Sequence, residues 1–100
     1  MVSYIVTVSV EKNISNEWLS WMIENHIPEV MATGCFTAFK INKKLFDSSD
    51  AKPTFIIQYA CNKISDYEFY KEQYAKKLQE EHASKYKDQF TAFREIWEEV

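Results

Sequence analysis

The chain is poor in the residues that break or decorate a fold. It has a single glycine and two prolines in 100 residues. That scarcity excludes a low-complexity or disordered chain. Cysteine occurs twice, as Cys35 and Cys61, without metal-type spacing. These are expected to be reduced structural thiols. Arginine occurs once, as Arg94, and the other eleven basic residues are lysines scattered without a run. With a net charge of -3, that argues against a nucleic-acid partner. No apolar run approaches the roughly 20 residues needed to span a bilayer, so no membrane partner is expected. Residues 1–10 lack the basic start of a signal peptide, which makes a cytoplasmic protein the default. Histidine pairs at helical spacing, paired CysXXCys motifs and glycine-rich phosphate loops are all missing. No metal, nucleotide or other cofactor is therefore expected. Nor does any local pattern support a hydrolase nucleophile with its base.

What is present is core material. Apolar residues make up 46% of the chain and aromatics 16%, enough for one domain over residues 1–100. Val2 to Val10 alternates, with Tyr4, Val6, Val8 and Val10 on one face, which predicts a half-buried strand. Cys35 to Phe46 and Thr54 to Cys61 read as two further strands around the loop Asp47–Asp50. Their short connection makes them an antiparallel hairpin. Centred on that loop, the pairing brings Cys35 near Cys61, although a reducing compartment argues against a bond. Gln89 to Glu98 reads as the last strand.

Two helices lie between these strands. In Glu17–Phe36, Leu19, Met22, Ile23, His26, Ile27 and Val30 recur at spacings of three and four. Ser15 is placed to cap this helix, Ile14 and Leu19 to staple it, and Thr33-Gly34 to end it. Pro28 cannot donate to the carbonyl of Glu24, which predicts a kink or break just after His26. The second helix begins at Ser65 with a capping pattern to Glu68 and a staple between Ile64 and Phe69. Tyr67, Tyr70, Tyr74 and Leu78 form its stripe. Three tyrosines so placed either line a pocket or form core with their hydroxyls at its edge. His26 likewise either faces a cavity or bonds a carbonyl freed by the proline.

The order strand, helix, strand, strand, helix, strand is the split pattern of the ferredoxin-like fold: an α+β domain with a four-stranded antiparallel sheet and helices on one face. The second sheet face still carries apolar residues such as Ile5 and Phe93. A twofold dimer, sheet against sheet, is the economical cover for them.

The segments TrpLeuSerTrpMet, HisIleProGluVal and ThrGlyCysPhe, followed by GluHis, PheThrAlaPheArg and a glutamate-rich C-terminus, resemble a bacterial domain-of-unknown-function family. The resemblance covers nearly the whole chain. It implies a dimeric α+β barrel, a superfamily that includes antibiotic-biosynthesis-type monooxygenases, muconolactone-isomerase-like enzymes, chlorite-dismutase-like haem proteins and stress-responsive barrels. It also implies a small-molecule pocket between each sheet and its own helices. His26 would then face the pocket, with Trp18 or Trp21 flanking it. Whether Tyr59, His82 or Arg94 points into the same space depends on strand parity, which the pattern leaves open. A haem protein of this kind would need a proximal histidine, and nothing singles out His26 or His82 for that role.

Two readings of function follow. In the first, the chain is a homodimeric barrel that binds a small apolar or aromatic molecule without catalysis. In the second, it is a cofactor-free monooxygenase or isomerase acting on a small aromatic compound, with His26 as general base.

Overall fold

A computed structural model describes residues 1–48 and 50–100. The order is β1 (Val2–Val10), a 3-10 turn (Lys12–Ile14), α1 (Ser15–Trp21), a π turn (Met22–His26), α2 (Ile27–Ala32), β2 (Ala38–Lys43), β3 (Thr54–Cys61), α3 (Ile64–Tyr70), a second π turn (Lys71–Ala75), α4 (Lys76–Lys85) and β4 (Phe90–Glu98). The four strands form one sheet in the order β2-β3-β1-β4, antiparallel at every joint. This is the α+β, ferredoxin-like arrangement expected from the pattern of elements. Among the described residues no helix is long and apolar enough to cross a membrane.

Alternation along the strands decides which side holds the core. Val2, Tyr4, Val8 and Val10 of β1 and Phe55, Ile57, Tyr59 and Cys61 of β3 are all at most 3% exposed. Their neighbours in sequence point to the opposite face. Trp18, Met22, Ile27, Val30, Tyr70 and Leu78 pack down on them from the helices. The opposite face carries Ile5 and Ile56, both half-buried, and Phe93 and Trp97, more than half exposed. Across the strands, Thr7 stands beside Phe93, and Ser3 beside Trp97.

The proline in the first helix acts by changing the hydrogen-bond partner, without breaking the helix. Pro28 has no N–H for the carbonyl of Glu24. The N–H of Ile27 donates to the carbonyl of Met22, five residues back, so the helix widens for one turn and continues through Pro28 in the first turn of α2. The widened turn shifts the phase of the apolar stripe. Ile23, expected to be buried, is 50% exposed, while Ile27 is sealed. Gly34 ends the helix at φ +76°, and its N–H donates to the carbonyl of Met31.

Several local expectations are corrected. Ser15 does not cap, because the 3-10 turn runs straight into α1 and Ser15 already has helical angles. The second helix starts one residue early, at Ile64. The backbone N–H of Lys63 donates to the Asp66 carboxylate, so Asp66, not Glu68, closes its start. Ile64 and Phe69 are 44% and 54% exposed and form no staple. β2 is shorter than the predicted 35–46. The backbone N–H of Cys35 donates to Thr33 Oγ1, and Phe36, ahead of the strand, is buried in the core at 5% exposure. Of the loop predicted at Asp47–Asp50, Ser49 lies outside the described residues. Cys35 and Cys61 are both free thiols.

Candidate functional site

Between the sheet and the helices lies a cavity of about 30 Å³. Its floor is Tyr4, Val6 and Val8 of β1, Ile57 and Tyr59 of β3, and Ala92 and Arg94 of β4. Its roof is Met22, His26 and Val30 from the first helical segment, with Tyr70, Gln79 and His82 from the second. His26 reaches it because it closes the π turn, where the widened backbone turns a polar side chain inward. His82 reaches it from the stripe Leu78, His82 and Tyr86, spaced four apart on α4 and its end.

The two imidazoles stand 5.6 Å apart between ring centres. Trp21 covers both, at 5.2 Å from His26 and 5.8 Å from His82. Lys85 sits 5.9 Å from the Trp21 ring, a cation over its face. Trp18 Nε1 donates to His82 Nε2 at 2.8 Å. An indole N–H can only donate, so this nitrogen of His82 is the acceptor and the ring's proton is on Nδ1. His82 is thereby held in one tautomer and one orientation. His26 is different: its Nδ1 is buried with no hydrogen-bond partner among the described residues.

Both histidines are neutral at physiological pH. Burial pulls His26 down from 6.5 to about 4, Glu81 opposing and Arg94 assisting. Burial likewise brings His82 to about 4, helped by His26 and Arg94. Burial raises Tyr4, Tyr59 and Tyr70 above the ordinary phenol value, so these hydroxyls stay protonated. The cavity is thus lined by neutral groups around a single charge, Arg94.

The sequence candidates separate clearly. His26, Tyr59, His82 and Arg94 line the cavity together. Trp21 stands behind the two histidines rather than on the wall. Trp18 is sealed at 0% exposure against Phe55 and acts on the site through His82. Of the tyrosine stripe, Tyr70 lines the cavity, Tyr67 lines a neighbouring recess and Tyr74 faces elsewhere. Gln79 and Tyr4 were not singled out from the sequence. The alternation of β1 places Tyr4 with Val6 and Val8, and that was the available signal. The residues do not fit a haem: the space admits about two waters, and the free face of His82 is already bonded to Trp18. Among the described residues no three His, Cys, Asp or Glu side chains gather as a metal site would require.

The fold is shared with solved structures of low sequence identity. A protein of Arabidopsis thaliana, At3g17210, matches with a TM-score of 0.74 at 14% identity, covering 100% of this chain and 96% of that one. SnoaB, a cofactor-independent oxygenase from Streptomyces nogalater, matches with a TM-score of 0.64 at 11% identity, over 98% and 91% of the two chains. A hydroxynitrile lyase from Passiflora edulis matches with a TM-score of 0.62 at 15% identity, over 99% and 94%. These likenesses establish the architecture and nothing about chemistry. No curated protein sequence matches the chain. One family profile, described as a domain of unknown function, matches residues 1–100.

Proposed function

Because the chain belongs to the family DUF4286, a domain of unknown function, we propose its role from the site: a homodimeric α+β barrel, one domain per subunit, that binds a small molecule between sheet and helices. The observation that carries this reading is the unpaired, buried Nδ1 of His26 at the cavity wall. A buried polar atom without a partner is unfavourable by roughly 1–3 kcal/mol. A ligand group that bonds it recovers that energy. The role of Trp18, Trp21 and His82 is to hold the surroundings rigid, so that His26 is presented in one geometry.

Size limits the ligand. A cavity of about 150 Å³ is what holds a benzene ring in a protein core. At about 30 Å³ the cavity admits a compact group only. Gln79 and Arg94 form a wall shared with an outer recess of about 590 Å³. An aromatic ligand enters when that wall opens into the recess. A second copy of the chain covers the other sheet face and buries Phe93 and Trp97, which are 58% and 57% exposed in the single chain.

A second reading, a cofactor-free oxygenase or isomerase with His26 as general base, draws on the same neutral imidazole and on the fold shared with SnoaB. Basicity weighs against it. A general base is most effective with a pKa near the working pH. At about 4, His26 is a poor proton acceptor at neutrality but a good hydrogen-bonding partner. Binding without catalysis is therefore the first reading.

The test is a thermal-shift screen of native protein and His26→Ala against small aromatic acids, quinones and flavins. A ligand at about 100 times its Kd adds about 2.7 kcal/mol, a shift of several degrees or more in a domain of this size. The reading predicts a ligand that raises the Tm of the native protein and not of the variant. No shift from any ligand, with His26→Ala simply less stable, would make His26 a core residue and the protein an interaction module.

A further inference from the structure

Arg94 is the only arginine in the chain, and its position is unusual for a lone charge. It sits on the edge strand β4 opposite Val6, on the face that carries the helices. It lines the inner cavity and the outer recess at once. Among the described residues no carboxylate lies within ion-pairing distance of it; the salt bridges there join Lys44 to Asp47 and Lys52 to Glu11. Among the described residues no Asp or Glu lines the inner cavity. The outer recess adds Lys71 and Lys76 against a single acid, Glu80. Both spaces are thus locally cationic in a chain of net charge -3. Tyr4 and Gln79 line the same cavity wall as Arg94, and the guanidinium charge acts on the Tyr4 hydroxyl against the effect of its burial. Arg94, Tyr4 and Gln79 together supply N–H and O–H donors in one place.

Resting on the binding role proposed above, we infer that the ligand is a small monocarboxylic acid whose carboxylate is held by Arg94. A planar guanidinium matches a carboxylate with two parallel hydrogen bonds. The carbon skeleton lies inward against Val6, Val8, Val30 and Ile57, with its far end toward His26. This apolar lining favours an organic acid over inorganic phosphate, which has no apolar part to bury. The neutral state of both histidines leaves Arg94 as the charge that selects the ligand.

The experiment compares acids with their uncharged amides: propionate with propionamide, and benzoate with benzamide. The readout is the indole N–H resonance of each tryptophan in a 15N-labelled sample. Trp18 and Trp21 report on the cavity, and Trp97, on the far face of the sheet, is the internal control. The inference predicts that an acid shifts Trp18 and Trp21 saturably, with affinity about ten-fold or more above its amide. In Arg94→Gln that preference falls to about two-fold or less, and Arg94→Lys restores part of it. Arg94 is exposed, so the fold of both variants is checked by their retained peak dispersion. Equal affinity for acid and amide, or a preference unchanged in Arg94→Gln, would overturn the carboxylate inference while leaving a binding cavity in place. If neither acids nor amides move Trp18 and Trp21, the cavity reading fails and this inference with it.

Discussion

Acid should destabilise this protein before its carboxylates titrate, because two buried histidines must charge on unfolding. Each imidazole is lowered from 6.5 to about 4 in the folded chain. The unfolded chain therefore binds protons more tightly than the native one. The stability that these groups contribute is fully present above pH 6.5. It declines as the pH falls and is lost by about pH 4. At pH 5 each histidine accounts for about 2 kcal/mol of that loss, from the ratio of protonation in the two states. Together they remove about 4 kcal/mol from a domain whose total is typically about 5–15. Protonating His82 also destroys its acceptor for the Trp18 N–H. The assay is urea unfolding at half-unit steps from pH 7.5 to 5.0, with native protein, His26→Gln, His82→Gln and the double variant. In the native protein the slope should approach about 2.7 kcal/mol per pH unit near pH 5, the value for two protons. It should halve in each single variant and nearly vanish in the double one. The slope is the informative quantity, since either variant also changes the absolute stability. An unchanged slope in the double variant, or histidine resonances that titrate near pH 6.5, would refute the reasoning.

Three further outcomes follow from the packing. Trp18→Phe removes the indole donor to His82 Nε2 and should lower stability by about 1–3 kcal/mol in urea; a change under about 0.5 kcal/mol would mean that this bond is not holding His82. Gly34→Ala should be destabilising by about 1–2 kcal/mol through backbone strain alone, because φ is +76° and an added Cβ meets nothing within 4 Å. A neutral effect in thermal melts would show that the turn relaxes. Phe93→Asp or Trp97→Asp should shift the protein toward monomer in sedimentation velocity, since both project from the uncovered sheet face. An unchanged dimer in both variants would put the interface elsewhere.

The strands were legible because their two faces differ. Tyr4, Val6, Val8 and Val10 announce the inner face of β1, and β3 matches its predicted span, Thr54–Cys61. β4 was harder. Phe90, Ala92, Arg94 and Ile96 are no more apolar than Thr91, Phe93, Glu95 and Trp97. Only the pairing of Val6 with Arg94 shows which set faces the helices. The cavity depended on that one parity. The bond from Trp18 to His82 joins residues 64 apart, and no local pattern carries such a contact. The first π turn had a visible cause in Pro28. The second, Lys71–Ala75, contains neither proline nor glycine and had no such signal. His26 was found because its apolar spacing and the nearby proline coincided. Gln79 lies beside Leu78 on an ordinary charged helix face, and only the packed helix shows it beside Arg94.

The central claim is that the space beside His26 is a binding site and not a packing defect. The most direct measurement is a crystal structure of the protein soaked with the strongest ligand from the thermal-shift screen. The account predicts ligand density between the sheet and helices, with a polar atom within hydrogen-bonding distance of His26 Nδ1 and Gln79 and Arg94 displaced to admit it. Density elsewhere, with the space beside His26 unchanged from the free protein, would contradict it.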